Sequence, residues 1–152
     1  MRLTSDDGSL FEMSVGSYQF PDIQNEPYDS NWLLIRIHVV HPRGEWTTVD
    51  PCLLTDELED LANWFGAIAE GKAADVEQNF TEPNLMFRLR ETPEGRSLRV
   101  YFELESRPSW AESRVSPEED LFLDFPLGEL DLARAAEELR GELALYPERA
   151  MP

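Results

Sequence analysis

Apolar and polar residues alternate along most of this chain, and the period of the alternation marks out its elements. From Leu10 to Phe20, Phe11, Met13 and Val15 alternate with Glu12, Ser14 and Gly16, which predicts a first strand followed by a polar loop over 21–30. Trp32 to Val40 is dense in β-branched and aromatic residues and predicts a well-buried strand. His41-Pro42-Arg43-Gly44 supplies turn chemistry, and Glu45 to Asp50 returns as its partner strand. Leu85 to Arg90 and Leu98 to Leu104 alternate strictly across Thr92-Pro93-Glu94-Gly95. They predict a second hairpin with Leu85, Phe87, Leu89, Leu98, Val100, Phe102 and Leu104 facing inward. A polar loop over 106–119 then leads to a last strand through Leu121, Leu123 and Phe125.

Two segments switch to helical spacing. Thr55 is positioned as an N-cap with Asp56 and Glu57 in the first turn, where the helix dipole favours negative charge. Leu58, Leu61, Ala62, Phe65, Ile68 and Ala69 follow on one stripe, and Gly71 stands where a helix ends. The opposite face gathers Asp56, Glu59, Asp60 and Asn63. A second helix is predicted from a cap at Asp131, with Leu132, Ala135, Ala136, Leu139, Leu143 and Tyr146 on one stripe and Pro147 at its end. Hairpins joined to helices, without crossovers, predict an α+β fold: an antiparallel sheet built from hairpins with two packed helices, in a single domain over 1–152.

Charge changes this picture more than any motif does. The chain has 31 Asp and Glu against 13 Lys and Arg, a formal charge of -18 spread along its whole length. With 41% hydrophobic and 11% aromatic residues it has enough to bury, so the charge belongs to a folded surface and not to a disordered chain. Such a surface repels nucleic-acid phosphate and anionic membranes and speeds encounter with a basic protein. Neither a signal-like segment nor a membrane span is seen, and Cys52 is the lone cysteine, so a cytoplasmic protein is expected.

Catalytic and metal chemistry find little to work with. A thiol nucleophile needs a nearby histidine. If Arg36 lies opposite Asp50, His38 lies opposite Thr48, roughly 13 Å of strand from Cys52. His38 and His41 point to opposite faces, and no metal-ligand spacing or phosphate-binding glycine loop occurs, so neither metal nor cofactor is expected. Glu103 and Glu105 share the outward face of one strand, as glycosidase acids would, but with this many carboxylates the pair reads as solvated surface.

Three arginines stand out against the acidity. Arg88, Arg90 and Arg99 share the outward face of the second hairpin, and its turn sets Arg88 beside Arg99, a like-charge contact that costs stability unless it is screened. Asp120 and Asp124, projecting outward from the last strand, are the internal candidates; an external anion is the alternative. Trp110, in a loop, and Trp64, at the edge of the first helix's stripe, are candidate apolar anchors for a partner.

Taken together, Tyr28-Asp29-Ser30-Asn31-Trp32-Leu33, Asp50-Pro51-Cys52-Leu53-Leu54-Thr55, Phe80-Thr81-Glu82-Pro83-Asn84-Leu85 and Tyr101-Phe102-Glu103-Leu104-Glu105 resemble the WapI-type immunity proteins, a family of small bacterial proteins. The likeness runs from about residue 8 to 147. It implies a non-enzymatic cytosolic antidote that binds the toxic C-terminal domain of a secreted contact-dependent toxin, often a nuclease. The expected partner surface is Asp56, Glu59, Asp60 and Asn63 with Trp64 or Trp110 as anchor. The alternative is a small-ligand or anion-binding protein using Arg88, Arg90 and Arg99.

Overall fold

A turn of only two residues sets the register of the first sheet. The computed structural model describes residues 1–111 and 121–149 of the chain. In it β3 (Trp32–His41) and β4 (Gly44–Leu54) are joined through Pro42 and Arg43, so His41 pairs with Gly44, Arg36 with Val49 and Ile35 with Asp50. The expected pairs, Arg36 with Asp50 and His38 with Thr48, are off by one residue; His38 faces Thr47. A one-residue slip moves a side chain to the other face of the sheet. Asp50 therefore lies on the core side with Ile35, and Val49 is left exposed beside Arg36. At the tip, Gly44 has φ 153°, a conformation strained for other residues, and a β-carbon there would stand 3.1 Å from the Trp110 ring, so the indole would have to shift to admit it.

The α+β class holds, but the strands divide between two sheets. β1 (Arg2–Thr4), β2 (Leu10–Tyr18), β3 and β4 form one, in that order. β5 (Glu77–Gln78), β6 (Leu85–Thr92), β7 (Gly95–Phe102) and β8 (Phe122–Pro126) form the other, and every neighbouring pair is antiparallel. Each sheet has one apolar face, and the two faces cover each other. Phe11 of β2 meets Phe87 of β6 and Phe102 of β7 at ring separations of 5.8 and 5.9 Å, and Trp46 of β4 meets Phe102 edge-on at 5.3 Å. β1 and β5 are too short to show any period in the sequence.

Helix α1 (Thr55–Ala69) closes the core with Leu58, Leu61, Ala62, Trp64 and Phe65, and Phe65 packs edge-on against Phe87 at 5.6 Å. Thr55 is its first helical residue and not its cap. The helix starts from Leu54, whose N–H is accepted by Glu57 Oε2 at 3.0 Å, satisfying one donor at the helix end. Helix α2 (Leu132–Leu145) lies against α1, and Arg140 comes close enough to Gly66 that a β-carbon there would sit 3.1 Å from its guanidinium. Asp131 caps α2 as expected, accepting from the Arg134 N–H at 3.0 Å.

The second hairpin also ends early. β7 stops at Phe102, and Leu104–Ser106 form a 3-10 turn in which Leu104 has φ 48° and is exposed instead of facing inward. Glu103 and Glu105 therefore do not share a strand face. The Ser106 hydroxyl is the local reason: it donates to the Glu103 carbonyl at 2.7 Å and accepts from the Glu103 N–H at 3.0 Å, which folds the chain back on itself.

Candidate partner-binding surface

The outer face of the second sheet is built in rows across its strands. Met86, Tyr101 and Phe122 pair in register, and the next row aligns Glu77, Arg88, Arg99 and Asp124. Arg88 thus stands beside Arg99, as the turn predicts, and each finds a carboxylate. Arg99 makes two hydrogen bonds of 2.7 Å to the two oxygens of Asp124 and lies over the Phe122 ring at 3.7 Å. Arg90 adds a looser contact to Asp124 at 3.8 Å, and Arg88 pairs with Glu77. Hydrogen bonding to Asp124 holds the Arg99 guanidinium charged, and Arg88 holds the Glu77 carboxyl below its usual range. Glu77, on the two-residue β5, is the partner that sequence reasoning missed. Asp120 lies outside the described residues.

The acids of α1 present the opposite case. Asp56, Glu59, Asp60 and Asn63 are all exposed on the side away from the core. None of the three carboxylates has an ion-pair partner among the described residues. Partial burial, and then Asp56 and Glu59, push the Asp60 carboxyl above its usual value. A second group of acids gathers beyond the helix start. The amide of Asn84, 1% exposed, donates to Asp50 at 3.1 Å and to Glu105 at 3.3 Å. Burial first, then Glu105 and Glu82, raise the Asp50 carboxyl.

The two tryptophans part company. Trp64 is 5% exposed, packs on Phe65 and Phe87, and donates its indole N–H to the Asp75 carbonyl at 2.8 Å. The apolar stripe extends one residue further round the helix than the spacing suggests, so this ring packs in the core and does not stand out as an exposed anchor. Trp110 is 43% exposed, edge-on to Trp46 at 5.7 Å with the Arg43 guanidinium over its ring. It sits at the Gly44 end of β4, whereas α1 begins at the Leu54 end, roughly 33 Å away along an 11-residue strand. Trp110 and the α1 acids therefore do not form one patch.

The residues weighed for chemistry stay apart. Cys52 is 1% exposed and burial pushes its thiol up to about 12, far from a thiolate at neutral pH. His41 bonds the Phe122 carbonyl at 2.8 Å, and burial lowers its pKa; His38 lies between Glu12 and Glu45 on the outer face of the first sheet. Among the described residues no group of three or more His, Cys, Asp or Glu is arranged to hold a metal ion, and no helix is long and apolar enough to cross a membrane.

The described residues thus form two packed antiparallel sheets and a helical pair that carries an acidic face. The chain belongs to the immunity protein WapI-like family, whose model matches residues 2–147. No curated protein matches it.

Proposed function

We propose that this chain is an antidote: a cytoplasmic, non-catalytic protein that neutralises a basic toxin domain, in keeping with a nuclease target, by binding it one to one. Membership of an immunity family supports the antidote role. The observation that supports the basic character of the partner is that Asp56, Glu59 and Asp60 have no ion-pair partner among the described residues, in a chain of charge -18. A nuclease domain needs a cationic surface to contact phosphate, so an acidic protein is steered to that surface and covers it.

The test is co-expression. The toxin domain encoded beside this gene should arrest growth alone and not when this chain is present, and the purified pair should associate more slowly as salt rises. Association with an acidic or neutral domain, indifferent to salt, would sink the electrostatic reading. Arginine-based anion binding draws less support, because Arg88, Arg90 and Arg99 each already face a carboxylate of the fold.

A further inference from the structure

The polar loop between β2 and β3 reaches the same end of the molecule as the start of α1. Trp32 pairs with Leu54, and the Asn31 carbonyl accepts the Thr55 N–H at 3.0 Å, so the turn at Tyr28–Asn31 abuts the first turn of the helix. The loop is pinned from behind. Asn31 exchanges hydrogen bonds with the backbone of Arg149, at 2.7 and 2.9 Å, and the Arg149 guanidinium binds the carbonyls of Phe20, Pro21 and Ser30 while covering the Tyr18 ring at 3.6 Å. Its front is different. Tyr28 is 67% exposed, and Asp22, Glu26 and Asp29 are exposed with no ion-pair partner among the described residues. At the seam itself the Thr55 hydroxyl is buried, in a residue 2% exposed, and has no hydrogen-bond partner among the described residues.

Deepening the antidote reading, on which this rests, we infer that this seam is the docking surface: Tyr28 is the apolar anchor, and the carboxylates of the loop and of α1 form its rim against a basic protein domain. An aromatic anchor inside a polar rim is the usual layout of a binding hot spot. The partner's chemistry follows from charge. A second copy of this chain would set carboxylate against carboxylate, and nucleic acid would set phosphate against them. A lysine- and arginine-bearing protein surface neutralises them and also offers Tyr28 apolar cover. Because Arg149 and Asn31 already hold the loop, little ordering remains to oppose binding.

The experiment pairs the full chain with the toxin domain encoded beside its gene, catalytically disabled. Tyr28→Ala should weaken binding at least tenfold with the thermal melt unchanged. Glu26→Lys with Asp29→Lys should slow association and flatten its salt dependence. Trp110→Ala, at the far end of β4, should bind as the unaltered chain does. Amide hydrogen exchange of the unaltered complex provides a measurement free of variants: new protection should fall on residues 20–31 and 55–60. Full affinity in Tyr28→Ala, or protection confined to other segments, overturns the surface while leaving the antidote reading intact. If the unaltered chain neither binds nor protects, the antidote reading fails, and the surface falls with it.

Discussion

The outer face of the second sheet and the seam between α1 and the β2–β3 loop are both charged, and they solve the problem of like charges in opposite ways. On the sheet, Arg88 and Arg99 stand opposite each other and would repel, but Glu77 and Asp124 close the row from both sides, and Arg99 adds the Phe122 ring beneath it. At the seam, Asp56, Glu59 and Asp60 crowd one another without a cation among the described residues, and the Asp60 carboxyl is pushed up by burial and then by its neighbours. The fold thus completes its own electrostatics where the charge is structural and leaves it incomplete where, on the reading proposed above, a partner completes it. Neutralising three arginines inside a chain with so few bases uses carboxylates for stability; leaving the helix acids without an ion-pair partner among the described residues forgoes stability.

The comparison assumes that α1 is held from its inner face and not from its acids, and the largest expected effect tests that assumption. Trp64→Ala removes a ring packed on Phe65 and Phe87 and strands the Asp75 carbonyl, so it should cost about 3–5 kcal/mol in denaturant unfolding. A loss under about 1 kcal/mol would mean that the helix is anchored elsewhere. Arg99→Ala comes next. It breaks the two-bond contact to Asp124 and the stacking on Phe122 at a side chain 15% exposed, and a loss of about 1–2 kcal/mol is expected after allowing for the half-solvated Asp124. Sulfate or phosphate should not restore the melt of Asp124→Ala; if either does, the arginine row is an anion site and the two regions are alike.

How much of this could be read from the chain depends on whether the relevant contacts are local. The Arg88–Arg99 pairing was legible because strict alternation runs up to a turn bounded by Thr92 and Gly95, and Asp124 because the face of a strand follows from its period. Glu77 was not, since a two-residue strand has no period. The expected register of the first hairpin was off by one because its turn holds only Pro42 and Arg43, a length that the turn chemistry of 41–44 does not fix; the irregularity opposite Leu34, where β4 has one residue more, lies beyond that stretch. Trp64 stands at the edge of a helical stripe, where one residue separates core from surface, so the spacing left it open to either fate and the burial places it in the core. The seam was the hardest. Tyr28, Asp29 and the α1 acids are plain in the sequence, but what joins them is the bond between Asn31 and Thr55, and no local period reports a contact across the length of a hairpin.

A smaller effect sets the acids around Asp50, beyond the start of α1, against the arginine row by pH. Burial and the nearby Glu105 raise the Asp50 carboxyl, so between the ordinary aspartate value of about 3.9 and the higher folded value the native chain holds more protons than the unfolded one. Stability contributed there falls as pH rises. Glu77 has the opposite sign: Arg88 lowers its carboxyl, so its contribution is present above the ordinary glutamate value of about 4.3 and is lost as pH falls below it. Asp50→Asn keeps an oxygen for the Asn84 amide and removes the charge, so it should raise the melting temperature at pH 7 by about 2 °C, and the gain should vanish below pH 3.9 or so. A gain that persists in acid would show that charge is not its cause.

The smallest expected change in stability is the most informative about function. Glu59 and Asp60 are exposed, bond nothing among the described residues through their side chains, and sit away from the helix start, so replacing both with Lys should move the unfolding free energy by no more than about 0.5 kcal/mol. Any shift should be upward, because the pair at present repels Asp56 and each other. Association with a basic domain should nonetheless slow, by tenfold or more at low ionic strength, and the difference should shrink as salt screens both chains. Rim charges of this kind act mainly on the rate of encounter, so dissociation should change less than association. A melt that collapses in this double variant would place the acids in the stability of α1 and erase the contrast with the arginine row; an unaltered association rate would keep the contrast but move the docking surface off the helix.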